Sequence, residues 1–213
     1  MPEDETPTTA RDGASVGGEV ARVRTPITMD AAALELEAAL RAAGVTELER
    51  GMCCLLLAQI ALEIAGGSAC DNHNPGNLTA NDQGSRDFFR PQWFIVDPTS
   101  PQKLIDLHNE MEAGRAPRAF RSYPDFPSGF ADHVKALVHT FPTIIDAART
   151  GDAVNVAGAI RSSRYTPGIN VPRVARSLDS LQRQFLAKGL FAALPLAGAP
   201  PAPPDLSRFS SSG

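Results

Sequence analysis

The chain has 213 residues, of which 43% are hydrophobic, and its 20 Lys and Arg against 24 Asp and Glu give a formal net charge of −4. These proportions are typical of a globular chain with one core. They exclude nucleic acid as the main partner, because a domain that binds phosphates carries a clear excess of basic residues.

The two ends of the chain differ in composition from its middle. Residues 1–24 are rich in Pro, Gly, Thr and acidic residues without apolar periodicity, which predicts a disordered or loosely attached arm. Residues 195–213 are rich in Pro, Ala and Ser and predict an extended tail. We therefore expect one folded domain over residues 25–194.

Two helices are predicted at the start of this domain. Thr28 or Asp30 caps the first helix. The capping box formed by Thr46 and Glu49 predicts the start of the second helix, which the glycine pair at 66–67 is expected to end. Because the second helix is apolar on nearly every face, we expect it to be the buried central helix of the domain.

The rest of the domain is predicted to be mainly helical. A polar loop follows the second helix, and residues 88–97 and 119–123 are expected to be short extended pieces. Further helices are predicted at 100–114, 128–140, 142–150, 152–162 and 171–189. About seven helices with little strand predict a mainly α fold of the α+β kind.

Glu63 lies in the last turn of the apolar second helix, at the negative end of the helix dipole and without a basic neighbour in sequence. Apolar surroundings and this dipole both raise a carboxyl pKa, and a carboxyl that keeps its proton is suited to general acid catalysis. A second interpretation stays open, in which Glu63 points into solvent where the helix frays. Glu63 is the main candidate for a catalytic group.

Three blocks of sequence follow one another along the chain. The first reads AQIALE at 58–63 and continues, after a Gly-rich turn, as NHNPGNL at 72–78. The second reads AFRSY at 119–123 and SGFADHV at 128–134, and the third reads SRYTP at 163–167. In this order they resemble the glucosaminidase-type peptidoglycan hydrolases of glycoside hydrolase family 73, in the lysozyme-like superfamily. That family typically has Ser and Trp after the glutamate, and both are missing here.

The resemblance implies a lysozyme-like, two-lobed fold with a small irregular β or loop lobe. It implies cleavage of β-1,4 bonds in the glycan strands of peptidoglycan, by an N-acetylglucosaminidase or a muramidase. Glu63 would protonate the departing glycosidic oxygen. Tyr165 would orient water or hydrogen-bond the N-acetyl group of the sugar, or else its ring would only close a helix junction. Tyr123 would stack on a sugar face. Asn74 and Asn77 would either hold their loop together or support Glu63 from behind.

A glycosidase of the ordinary kind needs a second carboxylate, as nucleophile or as base for a water molecule. In the family it lies between the first and second blocks. The acidic residues of that interval leave the assignment open: Asp82, Asp87, Asp97, Asp106, Glu110 and Glu112.

Charge is divided unevenly along the chain. Residues 25–114 have a net charge of −8, and residues 115–176 have a net charge of +5. Either two parts of one domain complement each other across a groove, or the groove accepts a polymer that bears carboxylates. In the second interpretation Arg121 and Arg164 would meet the peptide-stem carboxylates of the wall.

Other kinds of chemistry lack a starting point in the sequence. Zinc-ligand spacing, a phosphate-binding loop and a dinucleotide motif are missing, so neither a metal nor a cofactor is expected. The longest apolar run, Cys53–Ala58, is too short for insertion into a membrane. The three cysteines, two of them adjacent, exclude a regular disulfide framework.

Two alternatives to a hydrolase stay open. A lytic transglycosylase needs one acid only, because a hydroxyl of the sugar closes an anhydro ring. A non-catalytic module that binds the wall, in a phage or injection-type particle, would fit the missing Ser and Trp. The N-terminal residues lack the pattern of a signal peptide, so we expect delivery by a non-classical, phage-like or secretion-system route. The cleaved bond and the oligomeric state are beyond the sequence.

Overall fold

The computed structural model of the chain describes residues 20–64, 69–78, 87–89, 120–163, 165–166 and 168–196. Its helices in these ranges are α1 Met29–Ala42, α2 Arg50–Glu63, α3 Phe126–His139, α4 Pro142–Arg149, α5 Ala153–Ser162 and α6 Val171–Ala187. Its strands there are β1 Arg24–Pro26, β2 Ala69–Asp71, β3 Phe88–Phe89 and β4 Phe120–Arg121. The prediction of a mainly helical chain with a small β part is confirmed. The helix predicted at 100–114 lies outside the described residues.

Helix α2 is the centre of the core, as its sequence predicts. Every residue from Met52 to Ala61 is buried, and the helix packs against α1, α4 and α6. Cys53 and Cys54 are fully buried in it as free thiols. The helix ends at Glu63, shortly before the glycine pair at 66–67, which lies outside the described residues.

The predicted capping box at the start of α2 is wrong. The helix begins at Arg50, and the Glu49 side chain makes no capping hydrogen bond. Glu47 has a left-handed φ of 56°, which breaks the turn that Thr46 would have to cap. Instead the backbone N–H of Arg50 donates to the carbonyl of Pro195 at 3.0 Å. A distant segment therefore satisfies this end of the helix, which a local motif cannot predict.

Four other helices begin at side-chain caps of the expected kind. Thr28, Asp125, Asp152 and Asn170 each accept a hydrogen bond from a backbone N–H of the first turn. The observed bounds of these helices agree with the predicted ones to within a few residues. Within the described ranges, no helix has both the length and the apolar character that crossing a membrane requires.

Two antiparallel pairs of short strands complete the described structure. Strand β1 pairs with β2, with Thr25 opposite Cys70, and β3 pairs with β4, with Phe88 opposite Arg121. The first pair was not predicted, because strands of three residues carry little periodicity of their own. The residues just before β1 are also tied down, since Val23 N–H donates to the Asn72 side chain at 2.6 Å. The domain boundaries at 24/25 and 194/195 stay predictions.

Candidate active site

The loop after β2 brings polar groups to the end of helix α2. Asn72, His73 and Asn77 have left-handed φ values of 48°, 53° and 47°, a conformation in which asparagine is enriched. The Asn74 amide donates to the carbonyls of Leu78 and Arg121, both at 3.0 Å. Asn74 therefore holds the loop in shape and fixes it to β4.

Glu63 and Asn77 meet at the C-terminus of α2. The Asn77 amide donates to the backbone carbonyl of Glu63 at 2.8 Å and to its carboxylate oxygen Oε2 at 3.3 Å. One side chain thus caps a helix carbonyl that has no partner within the helix and also orients the carboxylate. Burial raises the pKa of Glu63 above its ordinary value, and the Asn77 hydrogen bond opposes this rise with a smaller effect.

Tyr165 lies on the other side of the same loop. Its hydroxyl donates to the carbonyl of Gly76 at 2.9 Å, and its ring meets Phe141 edge-on at 5.0 Å between centroids. Burial first, and then the charge of Glu63, raise the pKa of Tyr165. The phenol is therefore neutral at physiological pH. The structure brings together three predicted site residues, Glu63, Asn77 and Tyr165.

Gly76 allows this loop to lie close against helix α3. A Cβ atom at Gly76 would lie 1.9 Å from Nδ1 of His133, so only glycine fits. His133 is fully buried, and this burial lowers its pKa to about 4. The imidazole beneath the loop is therefore neutral at physiological pH.

Arg121 and Tyr123 are joined to helix α3 through Asp132. The Tyr123 hydroxyl donates to Oδ2 of Asp132 at 2.6 Å, and the Arg121 guanidinium donates to the same oxygen. Tyr123 is buried, with 7% of its surface exposed. Asp132 is not among the site residues predicted from the sequence, although an acid on the apolar face of an amphipathic helix is a recognisable signal of a buried ion pair. The predicted sugar-binding roles of Arg121 and Tyr123 stay predictions.

A groove of about 930 Å³ lies between β1 and α3, and its lining includes Asn72, Ser122 and Lys135 but not Glu63. Asp87 lines this groove as well. It is one of the six candidates for the second carboxylate. The other five lie outside the described residues: Asp82, Asp97, Asp106, Glu110 and Glu112. Arg164 also lies outside them. Over the described part of the chain, no group of three His, Cys, Asp or Glu residues could hold a metal ion.

The chain matches no family model and no curated protein in sequence. It is similar to the solved structure of a peptidoglycan hydrolase from Sphingomonas sp. A1, with a TM-score of 0.48 and 18% identity over 75% of this chain and 92% of that one. It is also similar to the glycoside hydrolase domain of FlgJ from Salmonella typhimurium, with a TM-score of 0.46 and 18% identity over 76% and 87% of the two chains. These likenesses are too distant to place the chain in a family.

Proposed function

We propose that the chain is a peptidoglycan hydrolase in which Glu63 is the general acid that cleaves a β-1,4 glycosidic bond. The observation that carries this proposal is the environment of Glu63. Its carboxyl lies at the end of an apolar helix, burial raises its pKa, and its hydrogen-bond partner Asn77 is an uncharged amide. A carboxyl held in this way keeps a proton at a pH where an exposed one has lost it.

The hydrogen bonds around Glu63 favour one of its two carboxyl oxygens as the carrier of the proton. The Asn77 nitrogen must face the backbone carbonyl of Glu63, since a carbonyl only accepts. The same nitrogen faces Oε2, so this oxygen acts as an acceptor. In the proposed mechanism Oε1 therefore carries the acidic proton and passes it to the glycosidic oxygen of the sugar.

Tyr165 is an acceptor in the proposed site. Its hydroxyl proton is used on the Gly76 carbonyl, so the lone pairs of the phenolic oxygen remain for another donor. An N–H group of an N-acetyl sugar or a water molecule would supply such a donor. The two roles predicted for Tyr165 are to orient water and to hydrogen-bond the N-acetyl group. In both of them the phenolic oxygen acts as an acceptor.

The test is a zymogram on purified peptidoglycan. Glu63→Gln keeps the shape of the side chain and removes the acidic proton, and we expect it to lower the rate of lysis by about 100-fold or more. Glu47→Gln is the matched control, because Glu47 is exposed in the loop before α2. Both variants should unfold at the urea concentration of the wild type or above it. Lysis by Glu63→Gln at the full rate would refute the assignment.

The released fragments decide between the two reactions that Glu63 can support. A hydrolase adds water across the bond, whereas a transglycosylase leaves an anhydro ring, and mass spectrometry separates the two products. A hydrolase also needs a second carboxylate, and the acids between the first two sequence blocks are the candidates. The route of delivery to the wall stays a prediction.

A non-catalytic module that binds the wall is the second candidate. The missing Ser and Trp after Glu63 favour it, since Ile64 stands at the Ser position and Gly66 at the Trp position. Such a module would bind purified sacculi without loss of turbidity between pH 4 and pH 8. Turbidity loss with the wild type, and none with Glu63→Gln, would exclude it.

A further inference from the structure

Asn72 joins the loop beside the proposed acid to a segment that is distant in sequence. Only 6% of the surface of Asn72 is exposed. Its Oδ1 accepts from the N–H of Val23 at 2.6 Å, and its Nδ2 donates to the carbonyl of Ala21 at 2.9 Å and to the Ser122 hydroxyl at 3.1 Å. Two of these three bonds therefore depend on residues that lie 49 and 51 positions before Asn72 in the chain.

Residues 21–26, which we call the strap, are held on the fold mainly by polar contacts. The strap ends in β1, which pairs with β2, and the Val23 carbonyl accepts from the N–H of Asn72 at 2.8 Å. Arg22 forms an ion pair with Asp71 at 2.9 Å. The Val23 side chain is 56% exposed, so it contributes little apolar burial. A segment held in this way detaches at a lower free energy than the core does.

The conformation of Asn72 directs the chain from β2 into residues 72–78, which we call the site loop. Asn72 has a left-handed φ of 48°. Such a φ is unfavourable for a residue with a side chain, and it persists where the surrounding contacts hold it. The strap supplies three of these contacts, two to the side chain and one to the backbone N–H. Five residues further on, the same loop places the Asn77 amide on Glu63.

We propose that Asn72 is a positioning residue for the site around Glu63, and that the strap holds it in place. With the strap docked, Asn72 keeps its turn and the site loop presents Asn77 to the carboxyl of Glu63. With the strap detached, Oδ1 of Asn72 is buried without its donor, so the turn relaxes and Asn77 moves away. The catalytic consequence rests on the proposed function, whereas the coupling of the strap to the loop does not.

Val23→Pro tests the proposal, because it removes the N–H that donates to Asn72 and leaves the carbonyl. We expect kcat to fall by about fivefold with KM changed by less than about twofold. The alkaline limb of the kcat/KM profile should move to higher pH, since Glu63 loses the amide that favours its charged form. A kcat within about twofold of the wild type would overturn the proposal.

Val20→Pro is the matched control. The N–H of Val20 donates to none of the described residues, so a proline there should leave kcat and the pH profile at their wild-type values. An equal fall in kcat in both proline variants would overturn the proposal, because the loss would then not depend on the bond to Asn72.

A double-mutant cycle asks whether the strap acts through Asn72. Asn72→Gly adopts the left-handed φ without strain and removes the side chain that the strap holds. Val23→Pro should therefore have little further effect on kcat when Asn72→Gly is already present. Effects of the two substitutions that multiply would overturn the proposal, since the strap would then act by another route.

Hydrogen exchange measured by mass spectrometry supplies a readout that needs no activity. The N–H of Asn77 donates to the Asn74 carbonyl at 3.4 Å, and that of Leu78 donates to the Asn74 side chain at 2.9 Å. Val23→Pro should raise the exchange rate of residues 74–78 by about tenfold and leave that of α6 unchanged.

The exchange experiment separates the two proposals. If the wild type cleaves no glycan, the proposed function fails, and the exchange of residues 74–78 still decides whether the strap holds the site loop. Unchanged exchange in these residues would overturn the coupling. An equal rise throughout the domain would overturn it as well, because the strap would then only stabilise the fold.

Discussion

The bond between Asn77 and Glu63 makes the pKa of the proposed acid adjustable by one substitution. Asn77→Gly keeps the left-handed φ of 47° and removes the amide. Because the amide favours the charged carboxylate, its loss raises the pKa of Glu63 further. We expect the alkaline limb of the kcat/KM profile to move to higher pH, and the rate at the optimum to fall by about tenfold as the carboxyl loses its orientation.

Asn155→Ala is the control for this prediction. The Asn155 amide donates to Thr150 at 3.1 Å on the exposed surface near the start of α5. Its removal should leave the pH profile of activity the same as that of the wild type. A profile that Asn77→Gly does not shift would contradict the assigned contact with Glu63.

The sequence contains enough information to select the residues of the candidate site that are anchored locally. Glu63 is defined by its place at the end of an apolar helix, and Asn77 and Tyr165 by their places in the sequence blocks. His133 could not be selected in this way. It reads as a core position of its helix, and what distinguishes it is the lack of a hydrogen-bond partner among the described residues, which only the tertiary structure shows.

Gly129 is the residue that lets helix α3 pack on the loop beside the site. A Cβ atom at this position would lie 1.9 Å from the backbone carbonyl oxygen of His73. Alanine normally favours a helix over glycine by about 1 kcal/mol. Here we expect the opposite sign, with Gly129→Ala lowering the free energy of unfolding by about 1–3 kcal/mol, because a backbone atom must move. Urea unfolding measures the change.

The matched control is a second helical glycine with open space around it. Gly158 lies in α5, and an added Cβ atom there would meet no heavy atom within 4 Å. Gly158→Ala should therefore raise the free energy of unfolding by about 0.5–1 kcal/mol, as helix propensity predicts. Equal effects at the two glycines would mean that the contact between α3 and the loop is looser than the structure describes.

The start of a helix could be predicted from the sequence where a side chain of the same segment caps its first residues. Asp125, Asp152 and Asn170 are caps within the segments that they begin, and those helices start close to where the sequence places them. Helix α2 starts instead where a carbonyl of the C-terminal segment, that of Pro195, accepts from Arg50. The pairing of β1 with β2 depends in the same way on segments far apart in sequence.

At the scale of the whole molecule, the buried His133 and the half-buried Glu63 make stability depend on pH in opposite directions. The pKa of His133 falls to about 4 from an ordinary 6.5, so the folded state binds fewer protons there than the unfolded state. Its contribution is full above pH 6.5 and is lost as pH falls through 4. The pKa of Glu63 is raised, so its contribution is full below about pH 4.3 and is lost as pH rises through the raised pKa.

One variant at each position separates the two effects. His133→Leu removes a loss of stability toward acid that amounts to about 3 kcal/mol for a shift of this size, so its free energy of unfolding should vary less than that of the wild type between pH 6.5 and pH 4. The free energy of unfolding of Glu63→Gln should rise relative to that of the wild type as pH rises above about 4.3. Urea unfolding across pH 4 to 8 measures both slopes. Because the imidazole and the carboxyl are both neutral in the folded state between their two pKa values, the core around the site is most nearly free of charge in that interval. A wild-type slope retained in both variants would mean that these two groups are solvated in the folded protein.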